Sequence, residues 1–491
     1  MLGSLQISRA VVMRKNLSLF LTLGVSILSF VSTSAMADIE WSGVYRFEGN
    51  FLKNSELSDR GRELSYGLNH LVLRPKIVAG DGITIYGQFN IFNDVTNYPN
   101  SQMGQVWGSG VRNAATPAAG TTSAQDSNTM SQTQNAETIL VSQLYMTLSH
   151  EYGQLLLGRA PLHFGLGMTY NAGRGLFDHW YDTSDLVGYK FILGNIYILP
   201  MFGKSSEAFV HKNDDLNDYM VQLQYENPET DIQMGAFYQV RKGGESASDA
   251  PLGSIGSGAG THTTSVNSKT VNVFALRDSQ NIRLGLEAAF QSGETGVVNP
   301  NGEKVTWGGF GIVGEVEYRP EGSNWNWMLK AGTASGGDPA TADKYEGYIF
   351  DRNYDVAFLL FNHPLGQADF LRTGAITGGT TDTEGRINKT DVEAISNVLY
   401  VAPGAKYKFN DRWSMDNTLV TGWLGTNPIV GSDTAKDLGY EWDISVNFTP
   451  RKGVMWVNQV GLLLPGDTWK AGNAFDSSFM YGFATKAAIS F

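Results

Sequence analysis

Phe479-Met-Tyr-Gly-Phe-Ala-Thr-Lys-Ala-Ala-Ile-Ser-Phe491 is the stretch on which the fold turns. Read with the two-residue period of a strand, Phe479, Tyr481, Phe483, Thr485, Ala487, Ile489 and Phe491 share one face, and Met480, Gly482, Ala484, Lys486, Ala488 and Ser490 share the other. An apolar stripe with aromatic residues at both ends is what a lipid-facing barrel strand requires. A soluble sandwich can end on such a strand too, so the remaining segments have to decide.

Near the other end, Ile39, Trp41, Gly43, Tyr45, Phe47, Gly49 and Phe51 alternate with Glu40, Ser42, Val44, Arg46, Glu48 and Asn50. Two such strands can close a sheet on itself and leave no unpaired edge. Between them, tight junctions recur at 80–82, 150–153, 194–195, 227–230, 278–281, 319–322, 410–412 and 450–453, each with turn-forming or polar residues. Long polar connections fall at roughly 52–63, 96–137, 160–185, 205–217, 243–268, 293–304, 336–395, 425–437 and 466–477. Strict alternation of short and long junctions puts the tight turns at one rim, which a sandwich has no reason to do. The pattern predicts an all-β, transmembrane antiparallel β-barrel of about 18 strands, with short periplasmic turns and long extracellular loops. Sixteen is the alternative count, because Leu186 to Lys204 is split at Gly194-Asn195 and the apolar residues of Tyr354 to Leu365 are left in a loop.

Composition agrees with export to a membrane. Arg9, Arg14 and Lys15 precede the apolar run Leu17 to Val31, and Ala35-Met36-Ala37 offers small residues for cleavage. This predicts a signal peptide over 1–37, shorter by residues 1–12 if Met13 is the true start, and a barrel over 38–491. The leader holds three of the 36 basic residues and no acid, leaving 33 against 48 and a mature net charge of −15. That balance argues against a nucleic-acid partner. There is no cysteine, so a closed hydrogen-bonded network has to supply stability.

With the apolar stripes turned to lipid, the intervening residues face the lumen. They include Arg46, Glu48, Gln88, Asn90, His70, Arg74, Lys76, Glu315, Glu317, Glu441, Asp443 and Lys486. A polar, two-signed interior in a barrel of this size is expected to be water-filled, with loops setting its width and inner charges its selectivity. The loops Asn113 to Asn135 and Gly243 to Ser268 have the composition of flexible polar segments, although a connection as long as 96–137 can also fold inward and narrow the bore. Gly158 to Asp182 is chemically the densest connection, and Arg159, Arg174, Asp178, Asp182 and Asp185 there either create a transverse field across the bore or form a salt-bridged plug.

Taken together, the chain resembles a Gram-negative outer-membrane porin of the large single-chain kind, and the C-terminal stripe resembles the signal carried by such barrels. The segment Gly153 to Asp182, with Gly-Arg, Phe-Gly-Leu-Gly and Gly-Leu-Phe-Asp, is similar to sequences of deltaproteobacterial and predatory-bacterium barrels, including alginate-export-like ones. The resemblance implies a channel without a cofactor. It also implies outer-membrane lipid and lipopolysaccharide as surroundings, a barrel-assembly machinery that reads Phe479, Tyr481, Phe483, Ile489 and Phe491, and a homo-oligomer, by default a trimer. No basic ladder marks the lumen, which counts against an anionic-polysaccharide exporter.

Two rival classes bear weighing. A barrel hydrolase needs a nucleophile beside an oriented histidine, and of the seven histidines only His179, next to Asp178, offers even a pair. A structural or lipid-organising barrel would use its outer face, where Trp413, Trp423, Trp442 and Trp456 read equally as interfacial girdle residues. Asp351-Arg-Asn353-Tyr-Asp355 matches three positions of a calcium loop, but Val356 stands where glycine is needed and Asn362 where a bidentate acid is needed, so no metal is expected.

Overall fold

The computed structural model describes residues 38–59, 61, 63–91, 139–206, 215–243, 261–262, 265–299, 301–338, 341, 343–371, 394–427 and 435–491. The leader, the Asn113 to Asn135 loop and most of the Gly243 to Ser268 loop lie outside the described residues. Eighteen long strands follow one another: β1 (Asp38–Lys53), β2 (Glu63–Gly80), β3 (Ile83–Ile91), β4 (Ile139–His150), β5 (Gly153–Pro161), β6 (Thr183–Leu193), β7 (Ile196–Ser206), β8 (Leu216–Asn227), β9 (Ile232–Gly243), β10 (Val266–Asp278), β11 (Ile282–Val298), β12 (Phe310–Tyr318), β13 (Trp325–Ala334), β14 (Val398–Lys408), β15 (Trp413–Leu424), β16 (Asp437–Arg451), β17 (Val454–Pro465) and β18 (Met480–Ser490). Three short strand pieces, Thr261–His262, Lys304–Trp307 and Lys344–Tyr345, decorate the long-loop rim. The eighteen-strand count holds, and so does the split at Gly194-Asn195.

Each long strand pairs antiparallel with its sequence neighbours, and β1 also pairs with β18, from Val44 against Ser490 to Lys53 against Tyr481. The sheet therefore has no edge. That is the only way a sheet can meet hydrocarbon, where each unpaired backbone group costs several kcal/mol. At the seam, Phe491 and Gly43 exchange backbone hydrogen bonds of 2.9 and 3.1 Å. Gly43 is required there, since a Cβ would fall 2.7 Å from the Phe491 ring and 2.5 Å from the Val72 carbonyl oxygen.

The outer surface is apolar as the alternation predicts. Trp41, Leu144, Phe191, Tyr219, Leu286, Trp327, Leu399, Trp442, Leu464 and Phe483 are all exposed, and Met480, Ala484 and Ala488 on the opposite face of β18 are buried. Aromatic pairs such as Trp325 with Trp327 and Trp413 with Phe448 stack on the outer face beside short turns, where a membrane interface favours amphipathic rings. The chain is a closed transmembrane β-barrel.

The interior corrects one expectation. It is not wet throughout, because two long connections fold into it. Residues 343–371 bring Tyr348, Phe350, Phe358, Leu359, Leu360, Phe361 and Phe370 against inward Val398, Tyr400, Val420, Leu463 and Met480, forming the largest hydrophobic cluster among the described residues. Residues 162–182 place Phe164 among inward Leu186, Met201, Met220, Phe237 and Phe274 on the opposite wall. Small wall residues make the first contact possible: a Cβ at Gly461 would meet Phe358 at 2.7 Å, and one at Gly482 would meet Leu359 at 2.7 Å.

Candidate functional site

Acidic side chains of the wall hold both inward loops. Glu441 of β16 accepts the Leu359 N–H at 2.5 Å and the Leu360 N–H at 2.7 Å, and Asp443 accepts the Phe358 N–H at 2.9 Å. Three consecutive backbone donors thus end on two carboxyl groups, which satisfies groups that have no sheet partner. Glu287 of β11 does the same for the other loop, accepting from Leu166 N–H at 2.6 Å and from Asn272 Nδ2 at 2.9 Å. Glu441 and Asp443 face inward as the alternation requires, but both are buried beneath a loop.

The two loops are tied to each other. Asp351 N–H donates to the Met168 carbonyl at 2.7 Å, Thr169 and Tyr348 share a hydroxyl bond of 2.8 Å, and Asn353 Oδ1 accepts from both His179 and Trp180 N–H at 3.2 Å. Arg352 lies 4.5 Å over the Trp180 ring. The carboxyls of Asp182 and Asp351 meet here. Burial pushes Asp182 up to about 6, and burial together with the Asp182 charge raises Asp351 further above the usual carboxylate range. The oxygens that resembled a calcium loop are thus spent on loop contacts, Asp351 Oδ1 on the Asn353 N–H and Asp355 Oδ1 on Ala357 N–H and Asn362 Nδ2.

On the β1–β18 side the wall is polar. Arg46 donates to the carbonyls of Asp178 at 2.6 Å and Leu176 at 3.1 Å, lies 3.3 Å from Glu48, and reaches His179 Nδ1 at 2.8 Å. Because guanidinium only donates, Nδ1 is the acceptor and the ring proton sits on Nε2, 3.1 Å from Glu48. Burial and Arg46 hold the His179 imidazole below its ordinary value, although Glu48 works the other way. The suggested Asp178–His179 base pair is therefore not formed: the Asp178 carboxyl accepts the Gly175 N–H at 2.6 Å instead.

Lys486 stands directly across from Glu48 in the β1–β18 register, its amine 5.8 Å from the Phe177 ring centroid, and forms no ion pair among the described residues. Together with Glu48, Asp178, His179, Arg352 and Asp355 it lines a cavity of about 150 Å³ between the loops and the wall. The geometry thus gathers Arg46, Glu48, Asp178 and Lys486 at one place, with Asp182 just behind it. Arg74 donates to Gln88 at 2.8 Å on the inner wall, Lys76 pairs with Glu40 at 2.8 Å, and Arg174 is exposed, close enough to Arg74 for the two guanidiniums to repel. Arg159 and Asp185 are elsewhere. They pair at 2.8 Å on the outward face of β5 and β6, in register with Leu157 and Val187, so they belong to the rim and not to the bore.

Sequence reasoning passed over Glu287 and Arg352, and weighed His179 only as a catalytic base and Asp355 only as a calcium ligand. Glu287 carried a signal: an inward acid between Gly285 and Ala289, small neighbours that leave room for an incoming loop.

An edgeless eighteen-stranded sheet, apolar outside, tight at one rim and elaborated at the other, decides the class. This is a large single-chain transmembrane β-barrel. No family model and no curated protein matches the chain. Among solved structures it is similar to OccK8 (OprE) of Pseudomonas aeruginosa, at 11% identity and a TM-score of 0.48, covering 92% of this chain and 98% of that one. It is also similar to the anion-selective porin of Comamonas acidovorans, at 10% identity and 0.42, covering 93% and 100%. A third likeness is to the outer-membrane-expressed OmpT of Vibrio cholerae, at 8% and 0.36, covering 94% and 99%. None of the site residues follows from these likenesses.

Proposed function

We propose that the barrel is a channel for passive diffusion of small hydrophilic solutes and ions, narrowed where residues 162–182 and 343–371 approach the β1–β18 wall. The observation that supports this reading is the polar cavity beside Lys486, where charges of both signs face space between loop and wall while the neighbouring stretch of wall, from Val398 to Met480, is dry. Glu48, Asp178 and Asp355 on one hand, and Arg46, Arg352 and Lys486 on the other, set a transverse field that orders water and sorts solutes by charge. Arg74, Lys76 and Arg174 extend the positive side along the wall. No chemical step is part of this reading: Arg46 and Glu48 occupy both ring nitrogens of His179. Under the same proposal the C-terminal stripe ending in Phe491 is the signal for barrel assembly, lipopolysaccharide surrounds the long-loop rim, and the barrels associate as homo-oligomers, with a trimer as the default.

Purified protein in planar bilayers provides the test. Stable ohmic conductance steps are expected, and Lys486→Glu should shift reversal potential toward cation preference. Silence in the bilayer over many insertions, or a Lys486→Glu channel of unchanged selectivity, would sink the reading.

A further inference from the structure

The lipid-facing surface of β9 to β13 is not a uniform band of large side chains. Its short residues Ala275, Gly314 and Ala331 lie at the base of a groove of about 460 Å³, and Met234, Leu286 and Leu329 rise beside it. Gly314 opens onto free space, since a Cβ there would meet nothing nearer than the Ala331 carbonyl oxygen at 4.0 Å. One cation borders this dry groove. Arg277 is exposed, lies on the outward face of β10 in register with Leu284, sits next to the Asp278 that begins a short turn, and forms no ion pair among the described residues. Its neighbours Arg283 and Arg319 differ in this respect, because both pair with Asp278.

A charged side chain turned to hydrocarbon is costly unless it reaches the headgroup layer and finds a counter-charge. The short turns lie at the periplasmic rim, so the counter-charge available to Arg277 is a lipid phosphate of the inner leaflet. We propose that the groove seats an acyl chain of an anionic phospholipid whose phosphate is held by Arg277. The two halves of the site fit one molecule: a concave apolar trough for the tail and, at its end beside the turn, an arginine for the headgroup.

Native mass spectrometry of the full-length barrel in a mild detergent with added phosphatidylglycerol tests this. The wild-type protein should retain one phosphatidylglycerol more tightly than phosphatidylethanolamine, Arg277→Gln should weaken retention about fivefold, and Arg277→Lys should restore most of it. Gly314→Phe, whose Cβ would meet open space at the base of the trough, should abolish the adduct while circular dichroism and heat-modifiable mobility stay those of a folded barrel. Leu329→Trp fills the same space should Gly314→Phe fail to fold. Retention unchanged in both Arg277→Gln and the trough-filling variant overturns the proposal. So does loss on Arg277→Gln alone, which would mean a headgroup contact without a seat for the tail. A dimer without bound lipid that Gly314→Phe dissociates would assign the groove to a second copy of the chain, and overturns it equally.

Discussion

Two inward-facing acidic positions, Glu441 with Asp443 on β16 and Glu48 on β1, come from the same alternation and meet opposite fates. On β16 the carboxyls are roofed by Phe358, Leu359 and Leu360 and spend their oxygens on backbone N–H groups. On β1, Glu48 joins Arg46, His179 and Lys486 around a polar cavity. The difference teaches that an inward charge that fastens a loop can be sealed beneath it, as Glu441 is, or can still border a polar cavity, as Glu48 does while it holds His179. What decides is whether the neighbouring wall is small and apolar. Around Glu441 it is, with Gly461, Leu463 and Met480, and a loop docks there; around Glu48 the neighbours are Arg46, Asn50 and Lys486.

The comparison breaks most visibly if the β16 fastening is removed. Glu441→Ala combined with Asp443→Ala leaves three buried N–H donors without acceptors, at about 1–3 kcal/mol each, so the loop should open by tenfold or more. Cleavage within 355–371 by added protease and a rise in single-channel conductance would record it; unchanged protease resistance would mean that apolar packing alone holds the loop.

Next in size is charge reversal on the polar side. Lys486→Glu places a second acid beside Glu48 and should change the cation-to-anion permeability ratio severalfold, measured by reversal potential in a salt gradient. The matching change on the dry side, Glu441→Gln, should leave that ratio alone, since a buried carboxyl roofed by a loop does not face permeating ions.

A pH scan sharpens the contrast between the loops themselves. Asp182 and Asp351 have raised values, so the protonated pair is the stable one: the loop junction is intact at acid pH and weakens as pH rises through about 6. Gating noise in bilayer recordings should therefore increase between roughly pH 4, where an ordinary carboxylate titrates, and pH 7. Asp351→Asn, which cannot ionise, should keep the quiet, low-pH behaviour throughout, and an unchanged pH profile in that variant would dissociate gating from this pair.

The smallest effect belongs to the rim. Arg159→Gln removes an exposed ion pair on the outward face, and both conductance and stability should move by less than about 1 kcal/mol equivalent. A large selectivity change there would place Arg159 in the solute path after all.

Strand count, register of inside and outside, rim polarity and the closing seam were all readable from the chain, because each rests on a period of two and on local turn chemistry that any antiparallel sheet must obey. The pairing of Trp41 and Phe483 with lipid, and the inward aim of Arg46, Glu48 and Lys486, follow from alternation alone. Which charges touch water does not. Alternation assigned Glu441 and Glu48 the same role, and proximity in sequence grouped Arg159 and Asp185 with Asp178. The outward faces of β5 and β6 set Arg159 and Asp185 apart, but only the folding of 162–182 and 343–371 into the bore distinguished Glu441 from Glu48, by what long-range packing lays over each carboxyl. That packing joins Leu359 to Glu441 and His179 to Arg46 across 82 and 133 residues of chain, a distance over which no local pattern carries information.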